Sequence, residues 1–180
     1  MDNSNLIALL REYDFRLSSK PPGLPGAEVE QGTLWRGIGF RLAGENLVSS
    51  LDQVLEVLTD PLISPVPGAK SWVKGIANVR GRLVTIVELA DFLGVAQEGP
   101  RMRGQRALYA ERGELRVGML VDTVFGAKQF LDEHWYDEAG VVPAPLALYV
   151  TGSFVSVDET WKVLNLTKLL TDRRFLDAAA

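Results

Sequence analysis

Apolar residues along this chain fall into short runs broken by polar, glycine-bearing turns, and the stretch from Gly75 to Leu93 (GIANVRGRLVTIVELADFL) has the clearest form. Two β-rich arms, Trp72 to Val79 and Leu83 to Val87, flank Arg80-Gly81-Arg82. This is a hairpin pattern in which Gly81 supplies the backbone freedom of a tight turn. Leu89 to Leu93 then reads as a short helix stopped by Gly94. The pattern recurs at a shift of 77 positions, where Trp72 to Leu93 aligns without a gap on Tyr149 to Leu170. Val73 meets Val150, Gly75 meets Gly152, Leu89 meets Leu166 and Leu93 meets Leu170. Asp122-Thr123-Val124 likewise echoes Asp52-Gln53-Val54 at a shift of 70. Two related halves follow.

Around these units the remaining elements are short. Gly37 to Leu42 predicts a strand, Ala43 to Asn46 a turn, and Leu47 to Leu58 either a strand or a brief helix. Ala107 to Ala110 and Leu115 to Val121 flank a turn at Arg112-Gly113-Glu114, and Leu166 to Phe175 predicts a longer helix. Residues 4 to 17 place Leu6, Leu9, Leu10 and Leu17 near one helical face, an amphipathic arm that ends at the Pro/Gly linker KPPGLPG. The expected organisation is an arm and linker over 1–33, a compact domain over 34–175 with halves at about 34–95 and 105–172, and a tail over 176–180. Short strands given twice at close spacing predict a mainly β fold of two small barrels packed side by side, with a groove between them.

Composition narrows the function classes. The formal net charge is -4, so no broad cationic field exists to hold phosphates, and nucleic acid is disfavoured. Cysteine is absent, which removes disulfides, Cys-ligated zinc, iron–sulfur chemistry and thiol catalysis. No apolar stretch approaches the roughly 18 residues of a membrane span, and the start lacks the basic lead of a secretion signal. A reducing cytoplasm without direct membrane insertion is the expected setting.

Catalytic groups are sparse. A triad assembled from Ser153, His134 and Asp158 lacks a G-x-S-x-G elbow, and His134, the one histidine, reads as a surface imidazole in a polar loop. Asp132, Glu133, Asp137 and Glu138 lack metal-ligand spacing and read as solvated acids. Trp135 and Tyr136 in the same loop either anchor it or offer a contact. Gly37-Ile38-Gly39 lacks the third glycine of a dinucleotide loop. Arg101, Arg103 and Arg106 form a basic run without interleaved aromatics, the pattern of a solvated connector. Neither an enzyme, a metal nor a cofactor is expected.

The segment WVKGIANVRGRLVTIVELADFLG resembles the signature of the CheW-like family of chemotaxis coupling proteins, G-x-x-N-L-R-G-x-x-x-P-x-x-D-L. Gly75, Asn78, Arg80, Gly81 and Leu89 fall in place, Val79 replaces Leu, Thr85 stands where the family has Pro, and Glu88 stands for Asp. FRLAGENL, VLEVL, VGMLVDTV and TGSFVSVDETWKVLNLTKLL resemble further family blocks in order, over about residues 35 to 172. The resemblance implies a duplicated pair of five-stranded SH3-like β-barrels with short helices. It implies a non-enzymatic adaptor joining methyl-accepting chemoreceptors to the regulatory domain of a CheA-type histidine kinase, placed at receptor arrays through its partners. The arm and the altered signature are similar to the coupling proteins of type IV pilus systems that govern twitching motility, with a flagellar-type coupler as the alternative and a ligand- or oligonucleotide-binding barrel as a more distant one. Carried onto matching positions, the contact surface comprises Val54, Glu56, Gly75, Asn78, Arg80 and Gly81. From the residues themselves a structural reading stands beside it. Gly75 and Gly81 serve backbone geometry, Asn78 caps the turn, and Arg80 holds Glu56 across the barrel. Only the first repeat keeps Asn78-Val79-Arg80-Gly81; the second has Val155-Ser156-Val157-Asp158 at the same turn.

Overall fold

The computed structural model describes residues 34–95, 104–138, 140–155 and 159–178. The arm over 4–17, the KPPGLPG linker, Arg101, Arg103 and Asp158 lie outside them. The first half supplies β1 (Leu34–Leu42), β2 (Glu45–Ser50), β3 (Glu56–Thr59), β4 (Val73–Val79), β5 (Arg82–Glu88) and helix α1 (Leu89–Leu93). The second half supplies β6 (Arg106–Arg112), β7 (Leu115–Val121), β8 (Thr123–Leu131), β9 (Trp135–Tyr136), β10 (Val150–Val155) and β11 (Thr160–Leu164). It also holds the helices α2 (Ala144–Ala147), α3 (Leu166–Leu169) and α4 (Arg173–Leu176). The strands form two sheets, one of order β8-β1-β2-β11-β10-β9 and one of order β3-β6-β7-β5-β4. This is the expected pair of small SH3-like barrels, with the two-residue β9 as an added sixth strand in one of them.

The sequence repeat is a structural repeat. The hairpin β4–β5 with α1 matches the hairpin β10–β11 with α3, and both hairpins carry a register shift at the aligned glycine, between Val73 and Gly75 and between Val150 and Gly152. Each second arm then pairs in parallel with a strand from the other half, β5 with β7 and β11 with β2. Each sheet therefore draws on both halves of the sequence. The hairpin β1–β2 sits in the sheet of β8 to β11, while its counterpart β6–β7 sits in the sheet of β3 to β5. The halves are exchanged rather than laid side by side.

Three apolar clusters follow from alternation along these strands. On β6, Ala107 and Tyr109 face the interior of the five-stranded barrel with Leu58, Ala77, Val84, Ile86 and Leu120. Leu108 and Ala110 face the other way, into the main core between the sheets, where they meet Phe40, Leu47, Val87, Met119, Leu164 and both repeat helices. Burial on two faces is why ALYA and GMLV read as continuous apolar runs. The six-stranded barrel is filled by Val48, Phe154, Trp161 and Val163, with Trp35, Phe130 and Trp135 packed against them.

Two expectations resolve differently from the simplest reading. Leu47 to Leu58 becomes the end of β2, a turn at Leu51 to Gln53, and β3. The longer helix expected over Leu166 to Phe175 is instead two single turns. Asn165 caps the first by accepting from Lys168 N at 2.9 Å, and Asp172 caps the second by accepting from Arg174 N at 2.8 Å. Asx side chains at these spacings compete with helix continuation and start new turns.

Candidate functional site

Val79 and Arg82 are register partners, so Arg80 and Gly81 alone turn the chain between β4 and β5. Both residues have positive φ, 52° and 81°. That is the type I′ hairpin geometry, which suits Gly, Asn or Asp and strains an arginine. Asn78 Oδ1 accepts a hydrogen bond from Gly81 N at 2.8 Å, fixing the turn. Arg80 Nη2 donates to Glu56 Oε1 at 3.0 Å. Glu56 lies on β3 and Arg80 next to β4, the two edge strands of the five-stranded sheet, so this ion pair spans the seam of the barrel at its tip. Further along the seam, Ser64 exchanges two backbone hydrogen bonds with Ile76 at 2.8 and 2.9 Å. A Cβ on Gly75 would lie 2.2 Å from Ser64 O, so glycine is what lets the loop close there.

Five of the six family-matched residues thus converge on one seam: Glu56, Gly75, Asn78, Arg80 and Gly81. Val54 does not join them. Its side chain is 7% exposed and belongs to the main core. The neighbouring Leu55, 58% exposed, is the side chain that faces solvent.

A second charged group continues the tip. Arg82 Nη1 reaches Glu111 Oε1 at 3.3 Å, Arg116 Nε reaches the same oxygen at 3.5 Å, and the Tyr109 hydroxyl donates to it. The Tyr109 bond and the two guanidiniums hold the Glu111 carboxyl below its usual range, while burial and Glu111 push the Tyr109 phenol up. The carboxylates are the shielded members, with Glu56 at 24% exposure and Glu111 at 25%, whereas Arg80 stands out at 71%. The tip therefore turns guanidinium groups and the exposed Leu83 toward solvent. Sequence reasoning missed Arg82, Tyr109, Glu111 and Arg116. The last three lie in the other half of the chain, and only the strand exchange brings them to this turn.

The other sequence candidates sit elsewhere. Ser153 is buried and its hydroxyl donates to Glu138 O at 2.7 Å, while His134 Nε2 lies 3.8 Å from Glu133 in a 3-10 turn over Asp132–His134. Among the described residues no group of three His, Cys, Asp or Glu side chains is placed to hold a metal. Trp135 packs edge-on against Phe154, with ring centres 5.1 Å apart, and its indole N–H donates to Asp137 at 2.7 Å. It anchors the loop, while Tyr136 is exposed. No described helix is long and apolar enough to cross a membrane.

The C-terminal turn forms a separate polar cluster. Tyr149 donates to Asp172 Oδ2 at 2.5 Å, and Arg174 Nη2 donates to the Tyr149 hydroxyl at 2.8 Å. Hydrogen bonds from Arg174 and Tyr149 hold the Asp172 carboxyl far below its usual range, and burial with Asp172 nearby pushes the Tyr149 phenol up to about 12. Phe175 stacks on Trp72 at 5.5 Å, tying this turn to the first half.

The sequence profile of the CheW-like domain matches residues 36–174. The chain is 37% identical over 171 residues to Protein PilI of Pseudomonas aeruginosa, covering 95% of this chain and 94% of that protein. It is 30% identical over 144 residues to Protein FrzA of Myxococcus xanthus, covering 75% of this chain and 84% of that one. The Chemotaxis protein CheW of Thermotoga maritima is 32% identical over 89 residues, covering 49% of this chain and 58% of that protein. Among solved structures, the scaffolding protein TtCheW from Thermoanaerobacter tengcongensis superposes with a TM-score of 0.67 at 21% identity, covering 79% of this chain and 96% of that one, a likeness of fold.

Proposed function

Because the chain belongs to the CheW-like family, we propose that it is a non-enzymatic adaptor that couples methyl-accepting chemoreceptors to a CheA-type histidine kinase, in a chemosensory system controlling type IV pilus twitching motility. The observation that carries this reading is the tip of the five-stranded barrel, where a strained, exposed Arg80 pairs with Glu56 beside a turn that Asn78 fixes through Gly81 N, in the one repeat that keeps the family signature. Strain retained at an exposed turn is the mark of a residue kept for contact rather than for stability. Glu56, Asn78 and Arg80 make the partner contact, with Gly75 and Gly81 shaping the backbone beneath it. The pilus-type assignment draws on likeness to PilI along nearly the whole chain, against about half of it for the Thermotoga maritima protein. The protein works in the cytoplasm and reaches the membrane through its partners.

Reconstitution tests the reading. With a pilus-type receptor and its kinase, the wild-type chain is expected to raise receptor-dependent kinase autophosphorylation and Arg80→Ala to lose most of that effect. No stimulation by the wild type would overturn coupling itself. Full stimulation by Arg80→Ala would overturn the contact assignment alone. A flagellar-type receptor and kinase serving better than the pilus-type pair would move the chain to the flagellar branch.

A further inference from the structure

One end of the five-stranded barrel is lined by charge. Residues opposite each other on paired strands share a face of the sheet, and so do alternate residues of one strand. Tyr109 faces the barrel interior, so its register partner Glu56 and its neighbour Glu111 face that way too, as does Arg116, the partner of Glu111. Arg82 shares the inward face of β5 with Val84 and Ile86. These groups meet at the end where Arg80 and Gly81 turn the chain, and their charges do not balance. Glu56 takes Arg80, while one Glu111 oxygen takes Arg82, Arg116 and the Tyr109 hydroxyl. A carboxylate oxygen has two lone pairs, so three donors oversubscribe it. The shortfall shows at both guanidiniums. The Arg82 bond is long at 3.3 Å, and Arg116 Nε is buried without a hydrogen bond. Three guanidiniums thus share two carboxylates, and the surplus faces outward, with the Arg80 side chain 71% and the Arg82 side chain 63% exposed. The second repeat reverses the sign. At the shift of 77, Arg82 aligns with Glu159, whose carboxylate accepts from the Trp161 indole at 2.8 Å.

On the reading that this tip contacts a partner, we propose that the barrel end receives an acidic peptide segment, with Arg82 as the residue that selects it. A partner aspartate or glutamate takes Arg82 from Glu111, leaving that oxygen to Arg116 and Tyr109, and meets the surplus charge at Arg80. Leu55 and Leu83 adjoin Glu56 and Arg82 in sequence and are 58% and 65% exposed, so the segment that fits carries apolar residues beside its acid. Apolar cover removes water from the charged contact, which strengthens it and penalises partners without the carboxylate. The fold prepares the exchange, since Glu111 and Arg116 come from the other half of the chain and hold Arg82 only by its long bond.

The test uses the full-length chain in the receptor–kinase reconstitution, scored per folded molecule, at salt from about 50 to about 300 mM. Arg82→Gln is expected to need about tenfold more protein for half-maximal kinase stimulation at low salt, and to respond less to added salt than the wild type. Arg82→Lys, which keeps the charge, should fall between the two. Lys128→Gln makes the same charge change on the six-stranded barrel and should couple like the wild type. Arg82→Glu should lose coupling, and replacing the acids of the receptor and the kinase by lysine one at a time should restore it at one position, which identifies the segment. A role for Arg82 in folding alone would give no such rescue. Arg82→Gln coupling like the wild type, an equal loss in Lys128→Gln, or no lysine replacement that rescues Arg82→Glu would each overturn this inference and leave the proposed function standing. A wild-type chain that does not couple overturns both.

Discussion

Arg80 is the residue at which stability and contact can be pulled apart. Its φ of 52° places it in the left-handed region, which costs a side-chain-bearing residue roughly 1–2 kcal/mol relative to glycine. Its bond to Glu56 returns little, because an ion pair with one member 71% exposed is screened and is worth about 0.5 kcal/mol. Arg80→Gly relieves the strain and loses the pair, leaving the fold about 0.5 kcal/mol more stable. Arg80→Ala loses the pair and keeps the strain, leaving it about 0.5 kcal/mol less stable. The gap of about 1 kcal/mol between the two variants corresponds to about 3 °C in Tm for a domain of this size, readable by calorimetry. Both variants lack the guanidinium, so both should lose receptor–kinase coupling despite moving in opposite directions in stability. An alanine variant as stable as the glycine variant would refute the strain argument, and a glycine variant that couples like the wild type would refute the contact.

Three further outcomes follow from the same geometry. Gly75→Ala drives a Cβ to 2.2 Å from Ser64 O at a φ of 146°, and should cost more than about 2 kcal/mol in urea unfolding and release the Ser64–Ile76 bridge to hydrogen exchange; a change under about 0.5 kcal/mol would count against the closed seam. Val54→Ala should lower stability by about 2 kcal/mol through lost burial yet leave coupling per folded molecule unchanged, whereas normal stability with lost coupling would return Val54 to the contact surface. The Tyr149–Asp172–Arg174 cluster predicts two pH limbs. The depressed Asp172 carboxyl contributes stability in full above about pH 4 and loses it as pH falls below. The Tyr149 phenol, raised to about 12, contributes in full below about pH 10 and loses it on going toward pH 12. Melting curves should show Asp172→Asn flattening the acid limb and Tyr149→Phe the alkaline one, and profiles identical to the wild type would dismiss the cluster.

Much of the fold was legible because the repeat wrote it twice. The aligned Gly75 and Gly152 mark real bulges, and Arg80-Gly81 turns where the pattern placed it. What stayed hidden was non-local. Nothing in LVTIV or GMLV says that the edge of β5 away from its hairpin partner β4 is taken by β7 of the other half, since a run such as GMLV, buried on both faces, carries no register. The same blindness hid Tyr109, Glu111 and Arg116 from the candidate site. Val54 entered the candidate surface through the family resemblance of VLEVL alone, yet β3 begins only at Glu56 and Val54 enters the core from the preceding connection. The break at Asp172 was visible in principle, as an aspartate two residues ahead of Arg174 in a helical pattern is a cap signal.

The interleaved sheets also fix what can be inherited. Where tandem domains sit like beads on a string, a genetic breakpoint in the linker hands on one bead whole. Here no breakpoint between Leu34 and Ala178 transmits one barrel without tearing hairpins from the strands they pair with. The two barrels are gained or lost together, and specialisation is left to point substitution in place, as at the turn where one repeat holds Asn78, Arg80 and Gly81 and the other does not.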